Sequence, residues 1–150
     1  MRPAGRLALF ALVCSTACGS ECPADGVGAS HRGADLTRCD LTGVNLQSAD
    51  LTEADLSGVR LSSARLTQVT FDGALLDGAD FESAELFDAT FRGARMRNAR
   101  FRAAKLNNPD FTDADLNGTT FEQSFIERAV CTGAKGVNFG LANVRGSDGC

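Results

Sequence analysis

The feature that most constrains the fold of this chain is a leucine at every fifth position near its N-terminal end. The leucines are Leu36, Leu41, Leu46, Leu51, Leu56 and Leu61. An α-helix returns to the same side about every 3.6 residues and a β-strand every second residue. A period of five fits neither, so this segment cannot be one long amphipathic helix or strand.

The period continues from Ala34 to Gly133 as twenty units of five residues without an insertion. The central residue is Leu, Phe, Met or Ile in nineteen units and Cys131 in the last, and a small residue precedes it by two positions in most units. Residues two apart in an extended segment point the same way, so both face a core. The last two residues of each unit have turn chemistry. The pattern therefore predicts an all-β solenoid made of short strands and corners, with its core inside.

Phenylalanine spacing indicates how many units complete one coil. Phe71, Phe91 and Phe111 are twenty residues apart, and a second series with the same spacing is offset by ten residues. The second series is Phe81, Phe101 and Phe121. If four units form one coil, the two series become two ladders of rings at roughly the 4.8 Å separation of neighbouring strands. The spacing therefore predicts a four-sided solenoid with about five coils of 20 residues over 34–133.

Charged residues form two bands that the same period brings together. Most of the charged residues in 74–93 are acidic. The next coil carries five cations, which we call the basic belt. The basic belt consists of Arg95, Arg97, Arg100, Arg102 and Lys105. The ion pairs predicted by a twenty-residue period are Asp80 with Arg100, Glu82 with Arg102 and Glu85 with Lys105. A surface for a partner is the alternative role of the belt.

The units resemble those of the pentapeptide repeat family, whose pattern is A-(D/N)-L-x-x. The resemblance covers residues 34–133 and implies a right-handed, four-sided (quadrilateral) β-helix, whose ends need caps because the coils stabilise one another by stacking. It also implies a possible activity, since acidic members of the family mimic DNA and bind DNA gyrase, which they protect from quinolones. The basic belt interrupts the negative surface that such mimicry needs, so inhibition or protection of a topoisomerase is the alternative function here.

Residues 1–17 have the layout of a secretory signal peptide. An apolar run from Leu7 to Val13 follows two arginines and is too short to span a bilayer. A buried first strand or helix of the domain is the alternative. Residues 15–18, Ser-Thr-Ala-Cys, resemble the lipobox of bacterial lipoproteins, which implies a lipid on Cys18 and an outer-membrane or other cell-envelope location. Ordinary cleavage, giving a periplasmic or secreted protein, remains open.

The segments on either side of the repeats are predicted to be caps. Residues 18–33 form an N-terminal linker or cap, and 134–150 form a C-terminal cap, because the frame loses its core residue at Gly136. Loss of residues 1–17 would remove two of the 15 basic residues and none of the 19 acidic ones, so the net charge would change from −4 to −6. An acidic protein of this kind is a poor partner for nucleic acid or for an anionic membrane surface.

Cysteine positions support export. Without Cys14 and with Cys18 lipidated, four cysteines are left, and they allow three disulfide connectivities. The repeat geometry favours Cys22 with Cys39 and Cys131 with Cys150. Cys39 and Cys131 could instead be free core residues. Cys14, Cys18 and Cys22 also have C-x3-C-x3-C spacing, for which a metal or cluster site is the least favoured interpretation.

No motif points to catalysis. The chain has neither Trp nor Tyr and contains a single histidine, His31, just before the repeats, for which a solvated loop or a metal ligand are the two interpretations. The sequence therefore predicts a non-enzymatic binding or structural module at the cell envelope, with an unknown protein partner and with no cofactor, metal or small-molecule substrate.

Outward positions of the units are mostly polar, but Phe87 and Phe125 are exceptions on the same side of the coil. They form either a partner patch or a surface covered by the chain's own terminal segment.

Overall fold

The chain winds into a right-handed, quadrilateral β-helix. A computed structural model describes residues 22–23, 25–147 and 149–150. Its backbone pairs in parallel at a spacing of twenty residues, from Ser30 with Asp50 to Asp115 with Lys135. Within that described part, no helix is both long and apolar enough to cross a membrane.

Three short strands form a parallel sheet at the C-terminal end of the coil. They are β1 (Lys105–Asn107), β2 (Phe125–Glu127) and β3 (Asn143–Arg145), in the order β1-β2-β3. Lys105 pairs with Phe125 at an offset of twenty residues, but Phe125 pairs with Asn143 at an offset of eighteen. The last circuit of the chain is therefore two residues shorter than those before it.

The core consists of the central and small residues of the repeats. The first predicted ladder is present, with ring centroids 5.2 Å apart between Phe71 and Phe91 and 5.3 Å apart between Phe91 and Phe111. In the second ladder, centroids are 4.5 Å apart between Phe81 and Phe101 and 5.0 Å apart between Phe101 and Phe121. Edge-to-face contacts between Phe91 and its neighbours Phe81 and Phe101 join the two ladders. The predicted four-sided coil is confirmed.

Hydrogen bonding explains the Asp or Asn that precedes the central residue in many units. In unit 49–53, four of the five backbone amides donate to backbone carbonyls of the same or an adjacent coil. The fifth amide, of Thr52, lies at the corner and donates to Oδ1 of Asp50 at 3.0 Å. Buried or half-buried amides need such partners. The same local bond recurs from Thr42 to Asp40 and from Thr112 to Asp110.

The ladder begins before Ala34, inside the segment predicted as an N-terminal linker or cap. The amide of Gly26 donates to the carbonyl of Asn45 at 3.0 Å, and Ser30 bridges to Asp50. His31 then takes the central inward position of its unit, below Leu51, and its Nε2 is buried without a hydrogen-bond partner among the residues that the structure describes. The interpretation of His31 as part of a solvated loop is therefore wrong.

Replacing His31 by leucine is expected to raise the free energy of unfolding by about 1 to 2 kcal/mol. Leucine matches Leu51 on the next coil, and the change removes a buried nitrogen without a partner, which costs about 1–3 kcal/mol. Urea denaturation at pH 7 measures the change. His31→Gln keeps a polar group at the site and should give no gain. A loss of stability in His31→Leu would show that the imidazole makes a favourable native interaction.

Candidate functional site

Two disulfides fasten the ends of the solenoid. Cys22 is joined to Cys39 with their Cα atoms 5.6 Å apart, and Cys131 is joined to Cys150 with a Cα separation of 4.9 Å. Cys39 and Cys131 lie at inward positions and are buried, so each bond ties a terminal segment to the core. These are the pairs that the repeat geometry favours. Cys14 and Cys18 lie outside the described residues.

The C-terminal segment closes part of the core. The ring of Phe139 packs edge-to-face on Phe121, with centroids 5.2 Å apart, and so ends the second phenylalanine ladder. The amide of Ala129 donates to Oγ of Ser147 at 3.2 Å. The segment predicted as a C-terminal cap thus contacts the last coil through both apolar and polar groups.

The basic belt is paired with carboxylates throughout. The three predicted pairs are present, with N–O distances of 3.8 Å for Arg100–Asp80, 3.4 Å for Arg102–Glu82 and 3.2 Å for Lys105–Glu85. The other two cations reach diagonally, which the twenty-residue period does not predict: Arg95 to Asp77 and Arg97 to Asp115, both at 2.7 Å. The hydrogen bond from Arg97 holds the pKa of the Asp115 carboxyl below its ordinary value.

The five belt cations do not form one patch. Residues 95–97, 100–102 and 105–107 belong to successive sides of the coil, so the belt spans three of the four sides. Because each cation also has a nearby carboxylate, the belt presents little unbalanced charge to a partner. Its position and pairing fit the role of ring-to-ring contacts between adjacent coils.

Phe87 and Phe125 lie on the same side of the coil, as the period predicts. We call this side, formed by 85–87, 105–107, 125–127 and 143–145, the strand face. Both phenylalanines are half-buried. The guanidinium carbon of Arg145, from β3, lies 5.8 Å from the centroid of the Phe125 ring. The C-terminal segment therefore covers part of Phe125, and Phe87 lies two coils away.

Two apolar side chains near the C-terminal end are exposed to solvent, which the repeat pattern does not predict. Leu141 is 84% exposed, and Val144 of β3 is 38% exposed although it continues the inward column of Leu106 and Ile126. Leu75 is another apolar residue that points outward, and it lies between Asp55 and Arg95 on a different side of the coil. The double leucine at positions 75 and 76 is the sequence signal for it, because only one of two adjacent residues in an extended segment can face the core.

Charge is divided along the length of the solenoid. Residues 22–93 contain five basic and twelve acidic residues, a net charge of −7. Residues 94–150 contain eight basic and six acidic residues, a net charge of +2. The N-terminal part is thus acidic and the C-terminal part is weakly basic. Across the residues that the structure describes, no three His, Cys, Asp or Glu side chains come together in a way that could hold a metal ion.

The chain is similar to several solved structures. QnrB1, a plasmid-mediated fluoroquinolone resistance protein, is 20% identical, with 82% of this chain and 68% of QnrB1 covered and a TM-score of 0.37. HetL, involved in heterocyst differentiation regulation in the cyanobacterium Nostoc sp. strain PCC 7120, is 23% identical over 81% of this chain and 73% of HetL, with a TM-score of 0.29. Rfr23 from the cyanobacterium Cyanothece 51142 is 19% identical over 83% of this chain and 91% of Rfr23, with a TM-score of 0.32. No curated protein matches the chain in sequence.

Family models match most of the solenoid. The model of the pentapeptide repeat region matches residues 64–147, more than half of the chain, and a model of eight pentapeptide repeats matches residues 28–58. The second match begins before Ala34, in agreement with the early start of the ladder. Proteins of this kind are generally structural or binding proteins. The chain belongs to the pentapeptide repeat family.

Proposed function

We propose that this chain is an exported, non-enzymatic binding or structural module of the bacterial cell envelope, anchored by a lipid on Cys18. The observation that carries the proposal is the pair of disulfides at the two ends of the solenoid. Disulfides of this structural kind persist in oxidising compartments outside the cytoplasm. The signal-like pattern of residues 1–17 and the lipobox-like residues 15–18 support the same conclusion.

A lipid on Cys18 would hold the solenoid close to the membrane. Only three residues lie between Cys18 and Cys22, and the four steps that join them span at most about 14 Å in an extended chain. Cys22 is fixed to Cys39 in the first coils by a disulfide. The acidic N-terminal part would then lie next to the bilayer, and the C-terminal part, with Phe125 and β3, would point away from it. A protein partner would accordingly meet the C-terminal part first.

Labelling with radioactive palmitate tests the anchor. The expected result is incorporation of the label into the natural chain, recovery in the membrane fraction, and loss of both in Cys18→Ser. Cys14→Ser is the matched control, because it changes a cysteine of the same apolar segment that lies outside the lipobox, and it should keep the label. Label retained by Cys18→Ser would contradict lipidation at that residue.

Alkylation of free thiols in intact cells tests the compartment independently of the lipid. Cys22, Cys39, Cys131 and Cys150 are expected to resist alkylation until a reductant is added, because all four are joined in disulfides. Free thiols in a cytoplasmic fraction, together with inhibition of DNA gyrase supercoiling by the purified protein, would overturn the proposal and favour the DNA-mimic function.

A further inference from the structure

The outer edge of β3 is an unpaired strand edge within the described chain. β3 is the last strand of the order β1-β2-β3, and among the described residues it pairs only with β2. All three of its residues are exposed, whereas Leu106 and Ile126, at the middle of β1 and β2, are fully buried. An open strand edge of this kind can accept the backbone of another strand.

Apolar groups lie beside this edge. Val144 stands in the inward column but is 38% exposed, and Leu141 is 84% exposed. Both residues belong to the last circuit of the chain, with Leu141 three positions before Val144. Exposed apolar surface in such a setting is typical of a protein interaction site.

Two arginines that form no ion pair within the described residues flank the same edge. The amide of Arg128 donates to the carbonyl of Arg145 at 2.8 Å, so the two arginines are neighbours in adjacent circuits. Neither forms an ion pair with another residue in the described part of the chain, in contrast to all five cations of the basic belt. Glu127 lies in register with Arg145 and next to Arg128 in the sequence, and its carboxylate accepts a hydrogen bond from the side-chain amide of Asn107. Within the described residues, the two arginines at this edge thus keep cationic groups that no direct ion pair occupies.

We propose that this C-terminal edge, made of β3 with Leu141, Arg128 and Arg145, binds an extended acidic segment of a partner protein as an added strand. Main-chain bonds to β3 would supply affinity, Val144 and Leu141 would receive apolar side chains, and the arginines would select carboxylates. The proposal rests on the protein-binding part of the proposed function and is independent of the lipid anchor.

Charge favours a foreign acidic segment over a second copy of this chain. The C-terminal edge of a second copy would bring another Arg128 and Arg145 against the first pair, and like charges oppose one another. At the acidic N-terminal end of a second copy, the Cys22–Cys39 disulfide fixes the terminal segment to the first coils, so this segment is not a free strand. A segment that alternates acidic and apolar residues places one kind on each face of a strand, which suits an edge with both arginines and exposed valine and leucine.

Peptide titration followed by NMR tests the proposal. The probe is a ten-residue peptide alternating Val and Glu, and the comparison peptide carries Lys in place of Glu. With the disulfide-intact full chain, we expect amide shifts and slowed hydrogen exchange at residues 141–147 for the Glu peptide. Affinity should fall roughly tenfold in the double variant Arg128→Ala with Arg145→Ala, and it should fall as salt is raised.

Arg65→Ala is the matched control for the titration. Arg65 is exposed and stands on the strand face, on the coil before Glu85, well away from β3. The Arg65→Ala variant should bind the Glu peptide with the same affinity as the natural chain. Equal binding of the Lys peptide, no loss in the double variant, or shifts confined to other coils would overturn the proposal. Self-association of the free protein through 141–147, detected by ultracentrifugation and slowed exchange, would also overturn it by identifying a second copy as the occupant. None of these outcomes depends on where the protein is located in the cell.

Discussion

Replacing Phe91 by alanine is expected to lower the free energy of unfolding by about 3 to 5 kcal/mol. Phe91 is fully buried at the middle of its ladder, with Phe71 and Phe111 stacked on its two faces. It also meets Phe81 and Phe101 edge-to-face, so its loss leaves a cavity that borders both ladders. The cost combines lost apolar burial with a cavity that rigidly paired coils cannot close. Urea denaturation followed by circular dichroism measures it.

Phe87→Ala is the control for this substitution. Phe87 lies one unit before Phe91, and its replacement by alanine removes the same atoms. Its side chain, however, points outward and is half-buried. Its loss should cost no more than about 1 to 2 kcal/mol, since much less area returns to water. Equal effects of the two variants would show that the phenylalanine ladders do not carry a special share of the stability.

Replacing Cys150 by serine is expected to release the C-terminal cap and to lower the free energy of unfolding by about 3 kcal/mol. The bond closes a loop of 19 residues between Cys131 and Cys150, and the chain-entropy estimate for such a loop is about 3 kcal/mol. Hydrogen exchange measured by mass spectrometry should show faster exchange over 134–147. Residues 54–73, in the middle of the ladder, should exchange as before.

The second disulfide provides the matched comparison. Cys22→Ser should speed exchange over residues 25–45 and leave 134–147 unchanged, because each bond fastens one end only. The two variants together test whether the ends are independent, as expected for a solenoid in which each coil contacts only its neighbours. Faster exchange along the whole chain in either variant would show that the solenoid opens as one unit.

The architecture could be predicted from the sequence because its period is physically strict. One extra residue in a unit would turn the inward row outward, so twenty units without an insertion define the strand, the corner and the side. Phe71, Phe91 and Phe111 then fix the number of units in a coil. Ion pairs such as Arg100 with Asp80 follow from the same twenty-residue spacing.

Features that depend on the third dimension could not be predicted in this way. The inward position of His31 was missed because the period was identified by apolar central residues, although Ala29 two positions earlier was a usable signal. The diagonal reach of Arg95 to Asp77 depends on the length and rotamer of the side chain. The last circuit is shorter, and its eighteen-residue offset from β2 has no marker in the repeat pattern.

The constant twenty-residue offset has a consequence for the length of the molecule. Asp55, Leu75 and Arg95 pair at the same interval, and neither disulfide involves the coils between them. A duplicated block of twenty residues in this middle region would add one coil, about 4.8 Å, and keep every side aligned with its neighbours. The chain can thus act as a molecular ruler, in which the number of inner coils sets how far the two ends stand apart while both ends stay unchanged.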